Sequence, residues 1–327
     1  MSVLTMLDIA KFNGSDAVAG LIDECIRNVP ELTGVTLAGQ RVPMVGGSRT
    51  IKGVHYKTLV RTSLPTVGFR AANTGTPLGK STWENRLYET FLLTPPIEVD
   101  EQVARSDEDG PAACMAKEAS GLFEASVQTV CRQFYYGNAA AQSQTANDSL
   151  GFPGLLQVYD PTDMEVNASG SNQGVAASGT ISTSVWAVRY GYQDVTWIFG
   201  LEGEMRLTDV ERVRVLDGSG NPYWALHQDI VCRVGLQVGR YWSCGRIKNI
   251  TSDSGKGLTD KLLGQLVSKF KVGYPPHALF MTRAAQEQLR ESRTAVNTSG
   301  APAPTPTEFE GIPILPTESI SNYEAIL

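Results

Sequence analysis

The stretch DEDGPAACMAKEASGLFEASVQTVCRQFYYGN, residues 107–138, carries the strongest structural signal in the chain. Asp107, Glu108 and Asp109 put negative charge where a helix N-terminus favours it, and Pro111 suits an early helical position that needs no N–H donor. Met115, Leu122, Phe123, Val127, Val130, Cys131 and Phe134 then recur three and four apart, which predicts one apolar stripe along a helix. Gly137 and Asn138 supply a C-terminal cap. The result is a helix of about 24 residues, a rod roughly 36 Å long. Gly121 is its weak point, costing about 1 kcal/mol against Ala unless close packing uses it.

Upstream, residues 41–95 read as an extended β-hairpin. Arg49–Arg61 (RTIKGVHYKTLVR) alternates partly, and Glu84–Thr94 is a second apolar, β-prone run. Between them Val67–Trp83 is crowded with Gly, Thr, Asn and Pro, a loop composition. Two strands around a long polar loop cannot bury themselves, so this projection needs a partner surface. Residues 1–40 hold a short helical pattern over Asp16–Arg27 but no core of their own, and read as an arm that docks elsewhere.

Downstream, residues 138–184 are rich in Ala, Ser, Gly and Asn, with one aliphatic patch at Leu155–Tyr159. From Val185 the pattern turns β. Asp217–Asn221 is a hairpin loop between two long runs. Ala225–Val238 reads as a long strand buried on one face, and Arg240–Ile250 as an extension of the same sheet. The period then switches. Leu258, Leu262, Leu263, Leu266, Val267 and Phe270 mark an amphipathic helix, Ala278–Met281 a short buried strand, and Arg283–Arg293 a second helix. Thr298–Thr307 is a Pro-rich exposed loop and Ile312–Leu315 a last strand.

Composition narrows the function. The chain has 327 residues, with 28 Lys+Arg against 34 Asp+Glu and a net charge of −6, which argues against a tight nucleic-acid binder. Charged residues are only 19 %, below the usual quarter, while 42 % hydrophobic content excludes disorder. Low charge with 32 Gly and 17 Pro fits a subunit that hides surface against other subunits. Apolar runs break well short of the roughly 20 positions a membrane span requires, so no membrane partner is expected. The start, MSVLTMLD, has neither a basic nor an apolar signal region, which predicts a protein made in the cytoplasm. Cys25, Cys114, Cys131, Cys232 and Cys244 form no CxxC motif and read as reduced, buried thiols.

Reactive constellations are sparse. Gly75–Ser81 ends like a phosphate-binding loop, but that loop needs four residues between its glycines and here there are three. Gly218-Ser219-Gly220 lacks the third glycine of a dinucleotide fingerprint. None of His55, His227 and His277 has a second His or Cys at metal-ligand spacing; Cys232, five positions beyond His227, falls on the opposite face of a strand. Asp107–Gly110 lacks the rest of a calcium loop, and Glu202/Glu204 read as solvated acids. Trp186, Trp197, Trp224 and Trp242, with Tyr190, Tyr192, Tyr223 and Tyr241, read as core or interface before a sugar-binding platform. No catalytic residue, metal or cofactor is expected, and the chain does not read as an enzyme.

The order of these elements, with the phrasing of NPYWALHQDIVCRVGLQVGRYWSCGRIKNI (221–250) and GYPPHALFMTRAAQEQLRESR (273–293), resembles tailed-bacteriophage major capsid proteins with the Hong Kong 97-type fold. The phrasing is similar to that of short-tailed phages, a Bordetella phage among them. The resemblance implies an α+β fold with residues 1–40 as N-terminal arm and 41–95 as E-loop. It places the peripheral (P) domain with its spine helix at 96–137, an axial (A) domain or β region at 138–204, P-domain strands at 205–252, and the A domain at 253–327. In the family the long P-domain strand usually comes last; here Tyr223–Gly235 precedes the A-domain helices, which implies a rearranged chain order.

The function implied is a structural subunit self-assembling into hexamers and pentamers of an icosahedral head that encloses double-stranded DNA without sequence-specific binding. Implied partners are copies of itself, a cement or decoration protein, a scaffolding protein and a portal. Implied locations are the virion capsid, and the host cytoplasm during assembly and procapsid maturation. Arg61, Phe69, Arg70, Lys80 and Trp83 would form the E-loop interface. Met115, Leu122, Phe123, Val127, Val130 and Phe134 would pack the spine helix. In some relatives an E-loop Lys cross-links to a neighbouring Asn; Lys80 stands at the matching loop tip without an evident activating acid. The alternatives are another virion component, such as a tail or decoration protein, and an oligomeric cytoplasmic enzyme.

Overall fold

The computed structural model describes residues 4–6, 25, 27, 29–32, 35–37, 40–42, 48–76, 78–138, 149–168, 182–200, 205–297, 301–324 and 326. The first half of the chain contributes β1 (Val35–Leu37), β2 (Gln40–Val42), β3 (Ser48–Thr50), β4 (His55–Ser63), β5 (Thr82–Glu89), β6 (Phe91–Leu93), β7 (Pro96–Asp100), α1 (Glu101–Ala104) and α2 (Pro111–Tyr136). Then follow α3 (Leu155–Val158), β8 (Glu165–Asn167), β9 (Ser182–Val188), β10 (Val195–Phe199), β11 (Arg206–Leu207), β12 (Glu211–Leu216) and β13 (Pro222–Val238). The last part holds β14 (Cys244–Thr251), α4 (Asp260–Ser268), β15 (Ala278–Met281), α5 (Arg283–Val296), β16 (Glu308–Phe309) and β17 (Ile312–Pro316).

Two sheets organise these elements. In the first, β13 runs for 17 residues, flanked antiparallel by β12 and β7 along its first part and by β10 and β6 along its second. β11 pairs with its middle, and β3 adds parallel to β10. The second sheet has the order β16-β17-β15-β9-β14-β8. Every residue of β9 and of β15 is buried, the pattern of strands covered on both faces. α4 packs on β14 and β8, and α5 on β9. Each helix is capped by a threonine side chain: Thr259 accepts from the Leu262 N–H and Thr282 from the Ala285 N–H.

The long helix α2 joins the two sheets. It opens at Gly110 with φ 87°, a conformation that glycine tolerates, followed by Pro111 in the first turn. The buried Asp107 carboxylate accepts from the Asp109 N–H and from Lys117 Nζ, tying the approach loop to the first turns. It closes at Gly137, φ 60°, where a Cβ would stand 2.1 Å from the Gly154 nitrogen. Cys114, Met115 and Ala119 pack with Ile97, Val99 and Ala104 into a small core. Val130, Phe134, Tyr135 and Tyr136 enter the main core with Trp186, Trp197 and Phe280. Phe134 stacks on Trp197 with ring centroids 5.0 Å apart.

Several readings change. Arg49–Arg61 is two strands, because β3 pairs with β10 before the chain turns into β4. Glu84–Thr94 likewise breaks at buried Thr90, whose N–H and Oγ1 both donate to the Val54 carbonyl. Arg240–Ile250 does not extend the β13 sheet: a short turn of helix at Tyr241–Ser243 carries the chain across, and β14 pairs with β9. Phe123 is 47 % exposed, so it is not a packing residue within the subunit, and a Cβ at Gly121 would meet nothing. Cys25 is exposed, unlike the four buried thiols. The Asp16–Arg27 helix lies outside the described residues apart from Cys25 and Arg27, and Glu202/Glu204 lie wholly outside them.

Candidate assembly surfaces

Among the described residues the β4–β5 hairpin is anchored at its base. Tyr56 donates to Gln237 Oε1, Tyr88 to the Val238 carbonyl at 3.0 Å, and Arg86 to the Gly239 carbonyl at 2.8 Å, all at the end of β13. The register sets Lys57 opposite Leu87, Leu59 opposite Asn85 and Arg61 opposite Trp83. Period-two alternation therefore turns Tyr56, Thr58 and Val60 towards the body and Lys57, Leu59 and Arg61 outward. Of the residues read as interface, Arg61 stacks over the Trp83 ring at 5.6 Å. Arg70 donates to the Thr74 carbonyl within the loop, and Phe69 and Lys80 stand exposed near its end. Phe69 and Leu78 are fully exposed, a costly position for large apolar groups in a free subunit.

Between the hairpin and the body lies a groove of about 1280 Å³. Its walls stack cations on aromatic rings: Arg86 lies 3.7 Å over Tyr241, Arg240 lies 5.2 Å over Trp242 and Lys271 lies 5.0 Å over the same ring. Arg86 and Arg240 also pair with acids of the same subunit, Glu84 at 3.7 Å and Asp194 at 3.3 Å, so the stacks and ion pairs together fix these guanidinium groups in place. The phenols beside it stay neutral, because burial pushes Tyr56 up to about 12 and raises Tyr88 as well. Sequence spacing does not bring this set together; its trace in the chain is the tyrosine and tryptophan enrichment between residues 186 and 242.

Along α2, Met115, Val130 and Phe134 are buried and Leu122 packs at the margin of the smaller core. Val127 is half-buried. The aromatic set divides: Trp186 and Trp197 are core residues, whereas Trp224 is 47 % exposed beneath the Arg212 guanidinium. A flat sugar platform is therefore not formed. A buried ion pair, Arg246–Glu324 at 2.8 Å, went unseen because its partners are 78 positions apart.

Among the described residues no three His, Cys, Asp or Glu gather in a metal-holding group. His227 instead faces Asp229 at 3.3 Å. Burial raises the Cys232 thiol to about 11 and Cys244 to about 12, away from the thiolate form a nucleophile needs. His277 is lowered by burial and then by Arg189, so it stays neutral. Among the described residues no helix is long and apolar enough to cross a membrane.

Comparison with known proteins agrees with a surface built for self-association. No curated protein matches the chain in sequence. Its fold is similar to that of a protein in the cryo-EM structure of bacteriophage Epsilon15, with a TM-score of 0.69 and 20 % identity over 100 % of this chain and 98 % of that one. The bacteriophage JBD30 capsid gives a TM-score of 0.49 and 11 % identity over 97 % and 99 %. With the Epsilon15 match, the expected α+β fold of the Hong Kong 97 type is the one observed. A family model described as major capsid protein GP7 matches residues 47–327, which sets aside the tail and decoration readings. This chain belongs to that family of major capsid proteins and is a structural protein of a phage capsid.

Proposed function

We propose that the subunit assembles into hexamers and pentamers of an icosahedral head around double-stranded DNA, each projecting hairpin docking on a neighbouring copy. The observation that carries this reading is the β4–β5 hairpin itself: it is anchored at one end, and its exposed Leu59, Val67, Phe69 and Leu78 have no cover within the subunit. Burying a large apolar side chain is worth about 1.5–3 kcal/mol, so such an element gains its stability only against another surface.

In this reading residues 1–40 are the N-terminal arm, 41–95 the E-loop and α2 the spine helix. The β13 sheet is the P domain, which by pairing takes in β10. The six-stranded sheet with α4 and α5 is the A domain, which takes in β14. The long strand then precedes the A-domain helices, the rearranged order read from the sequence. Scaffolding, cement and portal proteins are the further partners, assembly takes place in the host cytoplasm, and the kinship runs to short-tailed phages of the Bordetella-phage kind. DNA contact is without sequence readout, in keeping with a net charge of −6.

Sedimentation and negative-stain imaging of the purified chain test the proposal. Uniform shells or ring-shaped capsomers are expected, and deletion of residues 70–82 should leave the subunit folded while abolishing stable shells. Normal particles from the deletion variant, or a small oligomer that never grows, would overturn the reading.

A further inference from the structure

Glu31 carries a carboxyl that the fold buries without a counter-ion. It lies in the turn formed by Val29, Pro30, Glu31 and Leu32 and is 1 % exposed. Oε1 accepts from the Tyr135 hydroxyl at 2.7 Å and from the Thr317 hydroxyl at 2.5 Å. Among the described residues Oε2 has no hydrogen-bond partner, and neither does the buried Tyr190 hydroxyl, while the Ser319 side chain lies close enough to favour the carboxylate. Among the described residues no Lys, Arg or His forms an ion pair with it.

The groups that face this carboxyl come from three directions. Cys131 and Tyr135 project from α2, Tyr190 follows β9, and Thr317 and Ser319 belong to the C-terminal segment. Burial, and then the Glu31 charge, push Cys131, Tyr135 and Tyr190 well above their ordinary values, so all three stay neutral. Glu31 itself is pushed up by burial to about 7, against the pull of its hydrogen bonds. It is the one member of the cluster that titrates near neutrality.

Further contacts hold this region. Gln128 donates to the Cys25 carbonyl at 2.9 Å, which ties Cys25 to α2, and Leu32 packs on the main core. We propose that the turn at residues 29–32 is a proton-operated latch, in which the neutral Glu31 carboxyl locks this turn between α2 and the C-terminal segment and its ionisation loosens that lock. The inference rests on the subunit alone and does not depend on the shell reading.

The sign follows from linkage. A released carboxyl titrates at its ordinary 4.5 and the docked one at about 7, so docking takes up a proton between these values. The docking constant therefore falls by at most about tenfold per pH unit across that window, roughly 300-fold in all from below it to above it.

Hydrogen exchange of the full-length chain, read by mass spectrometry on a peptide spanning residues 25–36 and corrected for intrinsic rates, measures this constant. The parent should lose roughly 80-fold protection between pH 4.5 and 7, the rest of the roughly 300-fold total falling beyond the two ends of that window. Glu31→Gln, which keeps the shape and carries no charge, should hold its protection constant across the window. Thr317→Val removes a donor that favours the carboxylate, so the loss should continue to higher pH than in the parent. A Glu31→Gln variant that retains the parent's pH slope overturns the latch, as does a parent with no slope. Should Glu31→Gln fail to fold, a Thr317→Val profile identical to the parent's overturns it equally.

Discussion

Replacing Glu324 by Ala removes the fastening of the C-terminal segment. Its Oε2 pairs with Arg246 at 2.8 Å, and both side chains are 1 % exposed. Oε1 accepts from the Tyr136 hydroxyl at 2.6 Å and from Ser184 at 2.8 Å, and the Glu324 N–H donates to the Ser182 carbonyl. One carboxylate thus joins β14, α2 and β9. Burial alone would lower the Arg246 guanidinium, but the adjacent Glu324 overrides it and holds it above its ordinary value. Truncation strands that cation in the core, at a usual cost of about 3–5 kcal/mol. Two hydroxyls also lose their acceptor, each worth about 1 kcal/mol and partly counted already, so roughly 4–5 kcal/mol is expected. At an unfolding entropy near 2.1 cal/mol/K per residue, a chain of 327 residues should lose about 6–7 °C in Tm. Calorimetry and urea midpoints on the unassembled subunit measure both. The paired change Arg246→Met with Glu324→Leu should cost less than Glu324→Ala alone, because no charge is left stranded. A Glu324→Ala cost under about 1 kcal/mol, or a double variant equal to the sum of its singles, would refute the reasoning.

Three further outcomes follow from the packing. Gly121→Ala should stabilise the subunit by about 1 kcal/mol in urea unfolding, because the added Cβ meets nothing and helix propensity rises. Phe134→Ala, which empties a fully buried site stacked on Trp197, should cost about 3–5 kcal/mol in the same assay. The double change Phe69→Ser with Leu78→Ser should leave subunit unfolding within about 0.5 kcal/mol of the parent, since both side chains are fully exposed, while particle yield by sedimentation falls sharply.

What could be read from the sequence was what local chemistry decides. Pro111, the apolar spacing and Gly137 bounded α2 because a helix's start, face and end are written in adjacent residues. Ala278–Met281 was legible as a buried strand for the same reason. Partner choice was not legible. Arg240–Ile250 has the same β-prone look whether it pairs with β13 or crosses to β9, and only the tertiary fit of Cys244 opposite Val188 decides. Phe123 fell on the right helical spacing, yet the apolar stripe is wider than the surface that covers it inside one subunit. The Arg86–Tyr241 stack and the Arg246–Glu324 pair join residues 155 and 78 positions apart, a separation no pattern in the chain records.

Charge placement explains why such subunits attract although all carry the same net sign. Residues 55–89 hold five Lys and Arg (Lys57, Arg61, Arg70, Lys80, Arg86) against Glu84 and Glu89, a local +3 within a chain of −6, so the remainder carries −9. Identical acidic particles repel when like patches meet. A heterologous contact joins two different patches, and here it can set the cationic hairpin against the acidic remainder of the next copy. The outward face of β4 and β5 mixes both contributions, with Lys57 and Arg61 beside Leu59, Trp83 and Leu87. In the proposed docking the charges would favour one orientation over its alternatives, and the apolar groups would supply the free energy once water leaves. An isologous pairing of two hairpins would bring +3 against +3, so the same charges that would support the proposed heterologous docking would work against a closed dimer.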